Sequence, residues 1–144
     1  MTIPFPTDVF AGCYCGAVEI RAATVSKSIV NCHCGLCRRL SGAAFTTWVS
    51  LAREGLSVSG SESIGVFSPT SNVLRHFCKT CGTHVFTEDK RLPSIYGVPA
   101  GAIKGSRSLQ PSAHYFVTHK ADWHEISDSL PRFGGESGVE NLDA

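Results

Sequence analysis

The 144-residue sequence has almost no excess of charge of either sign, no long apolar run and no sustained helical stripe. Each shortage removes a class of function. A net charge of +1 leaves no electrostatic footprint for nucleic acid or for an acidic membrane surface. The longest apolar runs fall far short of a bilayer span, so the sequence predicts no membrane association. The opening stretch MTIPFPTDVFAG has neither the basic nor the long apolar region of a signal peptide, and the expectation is a soluble cytoplasmic protein. At this length one domain can enclose a real hydrophobic core.

What is present is short β-structure. AVEIRA alternates at period two and puts Val18 and Ile20 on one face. FTTWVSL, VLRHFC, HVFTE and HYFVTH repeat the aromatic and β-branched texture, and clusters of glycine, serine and proline separate them. GLCRRLSG predicts a turn or two of helix, and KADWHEI a second short one. The ending GGESGVENLDA is small, polar and acidic. It reads as a flexible tail over 134–144, leaving one mainly β domain of antiparallel strands over 1–133.

Seven cysteines dominate the chemistry, in three tight groups: Cys13-x-Cys15, Cys32-x-Cys34-x-x-Cys37 and Cys78-x-x-Cys81. An odd number without a secretory signal fits disulfides poorly, and close spacing fits a metal, above all zinc. Residues i and i+2 of a strand share a face, so a C-x-C pair can present both sulfurs to one ion. The C-x-x-C pairs suit tight turns, and Gly16, Gly35 and Gly82 stand where such turns can need positive φ. Seven thiolates divide into four plus three, which predicts two zinc ions per chain. Spacing alone leaves open which C-x-C joins Cys78 and Cys81. The triple group can bind an ion by itself, which favours Cys13 and Cys15 as the partners. Cys32, Cys34 and Cys37 then leave one vertex open for chemistry. The competing possibility is a histidine fourth ligand from His76, His84, His114, His119 or His124. His33 would point off the opposite face of its own pair.

An open three-thiolate zinc carries net negative charge, which makes an exogenous thiol a natural fourth ligand. Such a thiolate is positioned to add to a carbonyl carbon, and the reverse reaction breaks a carbon–sulfur bond. Arg38 and Arg39 follow Cys37 and are substrate-binding candidates, able to grip a carboxylate. His33 and Arg39 are the catalytic candidates, with His33 otherwise a surface imidazole. Phe45 and Trp48 read as core. Trp123, Asp128 and the LPRF stretch read as closing the fold.

The ordered set GCYCGAV, NCHCGLCRRLSGAAFTTW, RHFCKTCGTHVF and HYFVTHKADWHEISDSLPRF resembles the glutathione-dependent formaldehyde-activating enzyme (GFA) family, also called the centromere-protein-V domain family, over residues 10–133. The resemblance implies a zinc-binding β-tent fold. It implies structural zinc ligands at Cys13, Cys15, Cys78 and Cys81 and catalytic zinc ligands at Cys32, Cys34 and Cys37. The implied activity is that of a carbon–sulfur lyase, condensing formaldehyde with glutathione to S-hydroxymethylglutathione. AIKGS stands where many members carry a leucine and acidic residues before a proline, which points to a specificity of its own. A different class of function stays open beside the enzyme: a non-catalytic zinc-binding module for a protein partner.

Overall fold

In order along the chain the strands are β1 (Thr2–Gly12), β2 (Glu19–Cys32), β3 (Thr46–Ala52), β4 (Ser57–Ser59), β5 (Ile64–Thr70), β6 (Val73–Cys78), β7 (His84–Asp89), β8 (Ile95–Pro99), β9 (Ala113–Tyr115), β10 (Phe133–Gly134) and β11 (Glu140–Asn141). One α-helix, α1 (Gly35–Ser41), interrupts them. The computed structural model describes residues 2–105 and 109–143, with backbone alone at 2–7, 24 and 26–28. Positions 106–108 of the AIKGS-containing loop lie outside the described residues. The fold is mainly β, as the alternating texture predicts.

Two compact units share the chain: Met1–Lys27 with Val49–Ser108, and Ser28–Trp48 with Leu109–Ala144. In the first, the strand order is β1-β2-β3-β8-β7-β6-β5, with β4 also on β2. β1 pairs antiparallel with β2, and its register slips between Pro4 and Val9, the interval that contains Pro6. Proline has no N–H to give the ladder, so a break there is expected. β5, β6 and β7 are antiparallel neighbours. Ile20, Ala22, Val49, Leu51, Val85 and Val98 are fully buried in this unit. Apart from the smaller Ala22, each of these aliphatic side chains contributes on the order of 1.5–3 kcal/mol by leaving water.

In the second unit, Val30–Cys32 of β2 runs parallel to β9. Cys34 is the N-cap of helix α1, its sulfur capping the first turn, and Gly42 with φ 69° is the C-cap. Two expectations differ from what is found. KADWHEI makes a single turn, in which the His124 N–H donates to the Ala121 carbonyl at 3.2 Å. The Lys120 ammonium donates to the carbonyls of Ala121 and His124, drawing on acceptors that a longer helix would use. HYFVTH is strand only as far as Tyr115, because Phe116 takes a left-handed φ of 57° and turns the chain. From Gly134 onward, where the composition reads as a tail, β10 and β11 pair as a hairpin. The Phe116 N–H donates to the Gly138 carbonyl at 2.9 Å, and the Gly135 N–H to Thr118 Oγ1 at 2.8 Å. Small polar residues there serve as turn chemistry. Among the described residues no helix is long and apolar enough to cross a membrane.

Candidate metal centres

The seven sulfurs come together as two groups. In the first unit Cys13, Cys15, Cys78 and Cys81 place their sulfurs within 4.8 Å of one another. Two glycine-closed turns bring them there. After β1, the Gly16 N–H donates to the Cys13 carbonyl at 3.2 Å; after β6, the Gly82 N–H donates to the Cys78 carbonyl at 2.8 Å. Both glycines sit at φ 84°, a left-handed conformation that costs other residues. Gly35, also a positive-φ candidate by sequence, instead begins α1 with ordinary helical backbone. Thr83 ties the turns together: its hydroxyl accepts the Tyr14 N–H at 3.1 Å and lies 3.2 Å from Cys81 Sγ.

Sulfur separations of 3.6 Å (Cys13–Cys15) and 3.7 Å (Cys15–Cys78) are far too long for a disulfide and bring the sulfurs into van der Waals contact. All seven cysteines are free. Acidity within the group is split. The Thr83 hydroxyl and backbone hold Cys81 down at about 5. Although the Ala17 backbone favours the Cys15 thiolate, desolvation and the sulfurs of Cys13, Cys78 and Cys81 push that thiol up to about 12. Adjacent thiolates resist sharing negative charge, and a cation among them removes the conflict.

In the second unit, Cys32, Cys34 and Cys37 place their sulfurs within 4.8 Å of one another, and no fourth histidine, carboxylate or cysteine joins them among the described residues. Cys32 ends β2, and Cys34 and Cys37 cap and enter α1. The Cys37 N–H donates to Cys34 Sγ at 3.2 Å, and the indole Nε1–H of Trp48 to Cys37 Sγ at 3.5 Å. Thr46 Oγ1 donates to the Cys37 carbonyl at 3.3 Å. The sulfurs of Cys34 and Cys37, together with burial, push the Cys32 thiol far above its ordinary range. The same conflict of crowded charge therefore exists here, with one sulfur fewer.

His33 and the arginines fall unevenly around this group. His33 is wholly buried rather than on the surface. Its ring packs against Phe45 at 4.9 Å between centroids, and its Nε2 lies 2.8 Å from His114 Nδ1. Burial, followed by the charges of His114 and His124, lowers its pKa to about 4, so the ring is neutral near neutral pH. Arg38 is half-buried with its Nε unpartnered, whereas Arg39 is exposed on the helix. His114 continues from His33 to Asp128, with both carboxylate oxygens 3.0 Å from His114 Nε2. Sequence reasoning missed this line. A lone histidine on a strand and an aspartate in a loop carry no spacing signal when 81 residues separate His33 from His114.

Known proteins share this arrangement of chain. A protein of Halomonas elongata named "Putative glutathione-dependent formaldehyde-activating enzyme" is 30% identical over 79% of this chain and 78% of its own. An uncharacterized lyase of Schizosaccharomyces pombe is 26% identical over 90% of this chain and 93% of its own. The crystal structure of a Rhodobacter sphaeroides protein superposes with a TM-score of 0.56 at 26% identity, covering 69% of this chain and 91% of that one. The family profile described as glutathione-dependent formaldehyde-activating enzyme matches residues 8–119, and the chain belongs to that family.

Proposed function

We propose that the protein is a zinc-dependent carbon–sulfur lyase that makes and breaks thiol–aldehyde adducts, with glutathione as the thiol and formaldehyde as the aldehyde. The observation that carries this reading is the three-sulfur group of Cys32, Cys34 and Cys37, one ligand short of a closed tetrahedron among the described residues. Names of the Halomonas elongata relative and of the family supply the substrate pair.

The cysteines fit zinc. Zinc–thiolate bonds of about 2.3 Å set the sulfurs of a tetrahedron about 3.8 Å apart. The separations of 3.6 and 3.7 Å in the four-cysteine group lie close to that edge. In this reading Cys13, Cys15, Cys78 and Cys81 hold a structural ion, and Cys32, Cys34 and Cys37 hold the second. Zinc at the second position supplies positive charge that favours the thiolate form of an incoming thiol near neutral pH. In the addition, the substrate sulfur forms a bond to the aldehyde carbon, the carbonyl π pair moves to oxygen, and the thiol proton ends on that oxygen. The lyase direction reverses each change.

The chain's own residues orient the partners. Arg38, with its Nε buried and unpartnered, is the better placed of the two arginines to take a substrate carboxylate in bidentate fashion. Arg39, exposed on the same short helix, adds charge at the approach. The Trp48 N–H on Cys37 Sγ and the Cys37 N–H on Cys34 Sγ hold two of the three sulfurs in place.

Exchange NMR on a formaldehyde–glutathione mixture tests the reading with the purified, zinc-loaded protein. Faster interconversion of free glutathione and its hydroxymethyl adduct is expected, and Cys37→Ser should abolish it. Acceleration of a different thiol–aldehyde pair alone would keep the reaction class and replace the substrate. No acceleration with any pair overturns the enzyme reading.

A further inference from the structure

The line from Asp128 through His114 to His33 ends at the residue between two of the three clustered cysteines. We propose that Asp128, acting through His114 and His33, is a positioning residue for the Cys32–Cys34 segment; this rests on reading the three-cysteine group as a metal centre.

The polarity of the line follows from what each group can do. An ionised carboxylate only accepts, so His114 Nε2 carries the proton that faces Asp128 at 3.0 Å. With one proton on the His114 ring, its Nδ1 is a lone pair that accepts from His33 Nε2 across 2.8 Å. The proton-bearing nitrogens are thereby Nε2 of both rings, and His33 Nδ1 is bare. That nitrogen is buried and has no hydrogen-bond partner. The opposite polarity would bury an orphaned N–H there, a rarer arrangement than an unfilled acceptor. The hydrogen bond from His114 also holds the Asp128 carboxyl below its ordinary range, which keeps it an acceptor.

The line has leverage on the sulfurs. His33 lies between Cys32, the last residue of β2, and Cys34, the N-cap of α1, and its buried ring packs against Phe45 and His114. Its backbone N–H donates to the Tyr115 carbonyl at 2.9 Å, while its ring is held by His114, the neighbour of Tyr115 in β9. Side chain and main chain are therefore tied to one strand, and the Cα atoms on either side of His33 inherit that placement. His114 is almost fully buried, whereas the Asp128 side chain is nearly half exposed. A surface carboxylate thus sets the orientation of a buried ring that flanks two ligands. Groups that orient metal ligands in this way typically change metal affinity by roughly 10–100-fold when removed.

The test reads metal binding and ring protonation, with no activity assay needed. Cobalt titration of the full-length protein, with Cys37→Ser as the reference for the four-cysteine centre, isolates the spectrum of the three-cysteine centre. Asp128→Ala and His114→Phe should each weaken cobalt at that centre by about tenfold or more and broaden its bands, leaving the other centre unchanged. Asp128→Asn retains an oxygen that can accept from His114 Nε2, and should restore binding to within a few-fold of the parent. Independently of any variant's folding, ¹⁵N NMR of the parent should show His33 protonated at Nε2 and bare at Nδ1. A protonated His33 Nδ1, or cobalt affinity in Asp128→Ala equal to the parent's, overturns the proposal while the metal-centre reading stands. A parent protein that takes up cobalt only at the four-cysteine centre overturns both.

Discussion

A single indole N–H on a cysteine sulfur is a sensitive probe, because the sulfur's electron density changes with it. Trp48→Phe keeps an aromatic ring of similar bulk and deletes the 3.5 Å bond to Cys37 Sγ. Losing it should cost stability by about 0.5–1.5 kcal/mol. In the cobalt-loaded protein the sulfur-to-metal charge-transfer band should move to longer wavelength, because an unassisted thiolate gives up its electron more easily. An unmoved band would mean that Cys37 does not ligate. Asp128 offers a second residue-level reading, through pH. Its carboxyl is held below the ordinary aspartate range chiefly by the hydrogen bond from His114, so folding favours the ionised form. The resulting stabilisation is present above the unfolded value near pH 3.9 and is lost as pH falls through the lower folded value. A ¹³C titration of the Asp128 carboxyl should therefore show a lower midpoint in the parent than in His114→Phe. Equal midpoints would remove His114 as the cause.

At the scale of elements, the two glycine turns carry the four-cysteine group, and their cost can be isolated. A methyl added at Gly82 meets nothing within 4 Å, so Gly82→Ala changes only the conformational strain at φ 84°. That strain is about 1–2 kcal/mol for an L-residue in the left-handed region. Gly35→Ala is the matched control, since it also meets nothing within 4 Å and begins α1 without positive φ. Thermal unfolding should show Gly82→Ala clearly less stable and Gly35→Ala equal to or above the parent. The elements legible in the sequence share a property: VLRHFC and HVFTE coincide with β6 and the start of β7, where β-branched and aromatic residues cluster between turn-forming residues. β5 was hidden because its Val66 and Phe67 lie exposed and a proline follows, so its apolar residues do not mark an inner face. β1 was hidden by prolines at its register slip. Cysteine grouping was legible since local spacing limits which sulfurs can converge. The parallel pairing of β2 with β9, and with it the His33–His114 contact, joins distant stretches and leaves no local trace.

For the whole molecule, the two cysteine groups differ in how much chain each one closes. The four-cysteine group joins Cys15 to Cys78 across 63 residues of sequence, inside the unit that holds β1 and β5 to β8. The three-cysteine group spans a few residues at the start of α1. Closure entropy grows with the logarithm of loop length, so losing the first group releases far more chain freedom than losing the second. Metal binding by four cysteines in small peptides is worth on the order of 10–16 kcal/mol, at or above the usual stability of a whole domain. Cys81→Ser should therefore yield insoluble protein or a large fall in melting temperature. Cys37→Ser should stay folded, retain about one metal ion per chain by the ligand count, and lose any turnover of thiol–aldehyde adducts. Expression yield, circular dichroism and metal content separate the two variants. Equal unfolding of both would make the three-cysteine group a structural brace for α1 and β2, and its short helix would then owe its form to the ion rather than present an ion to a substrate.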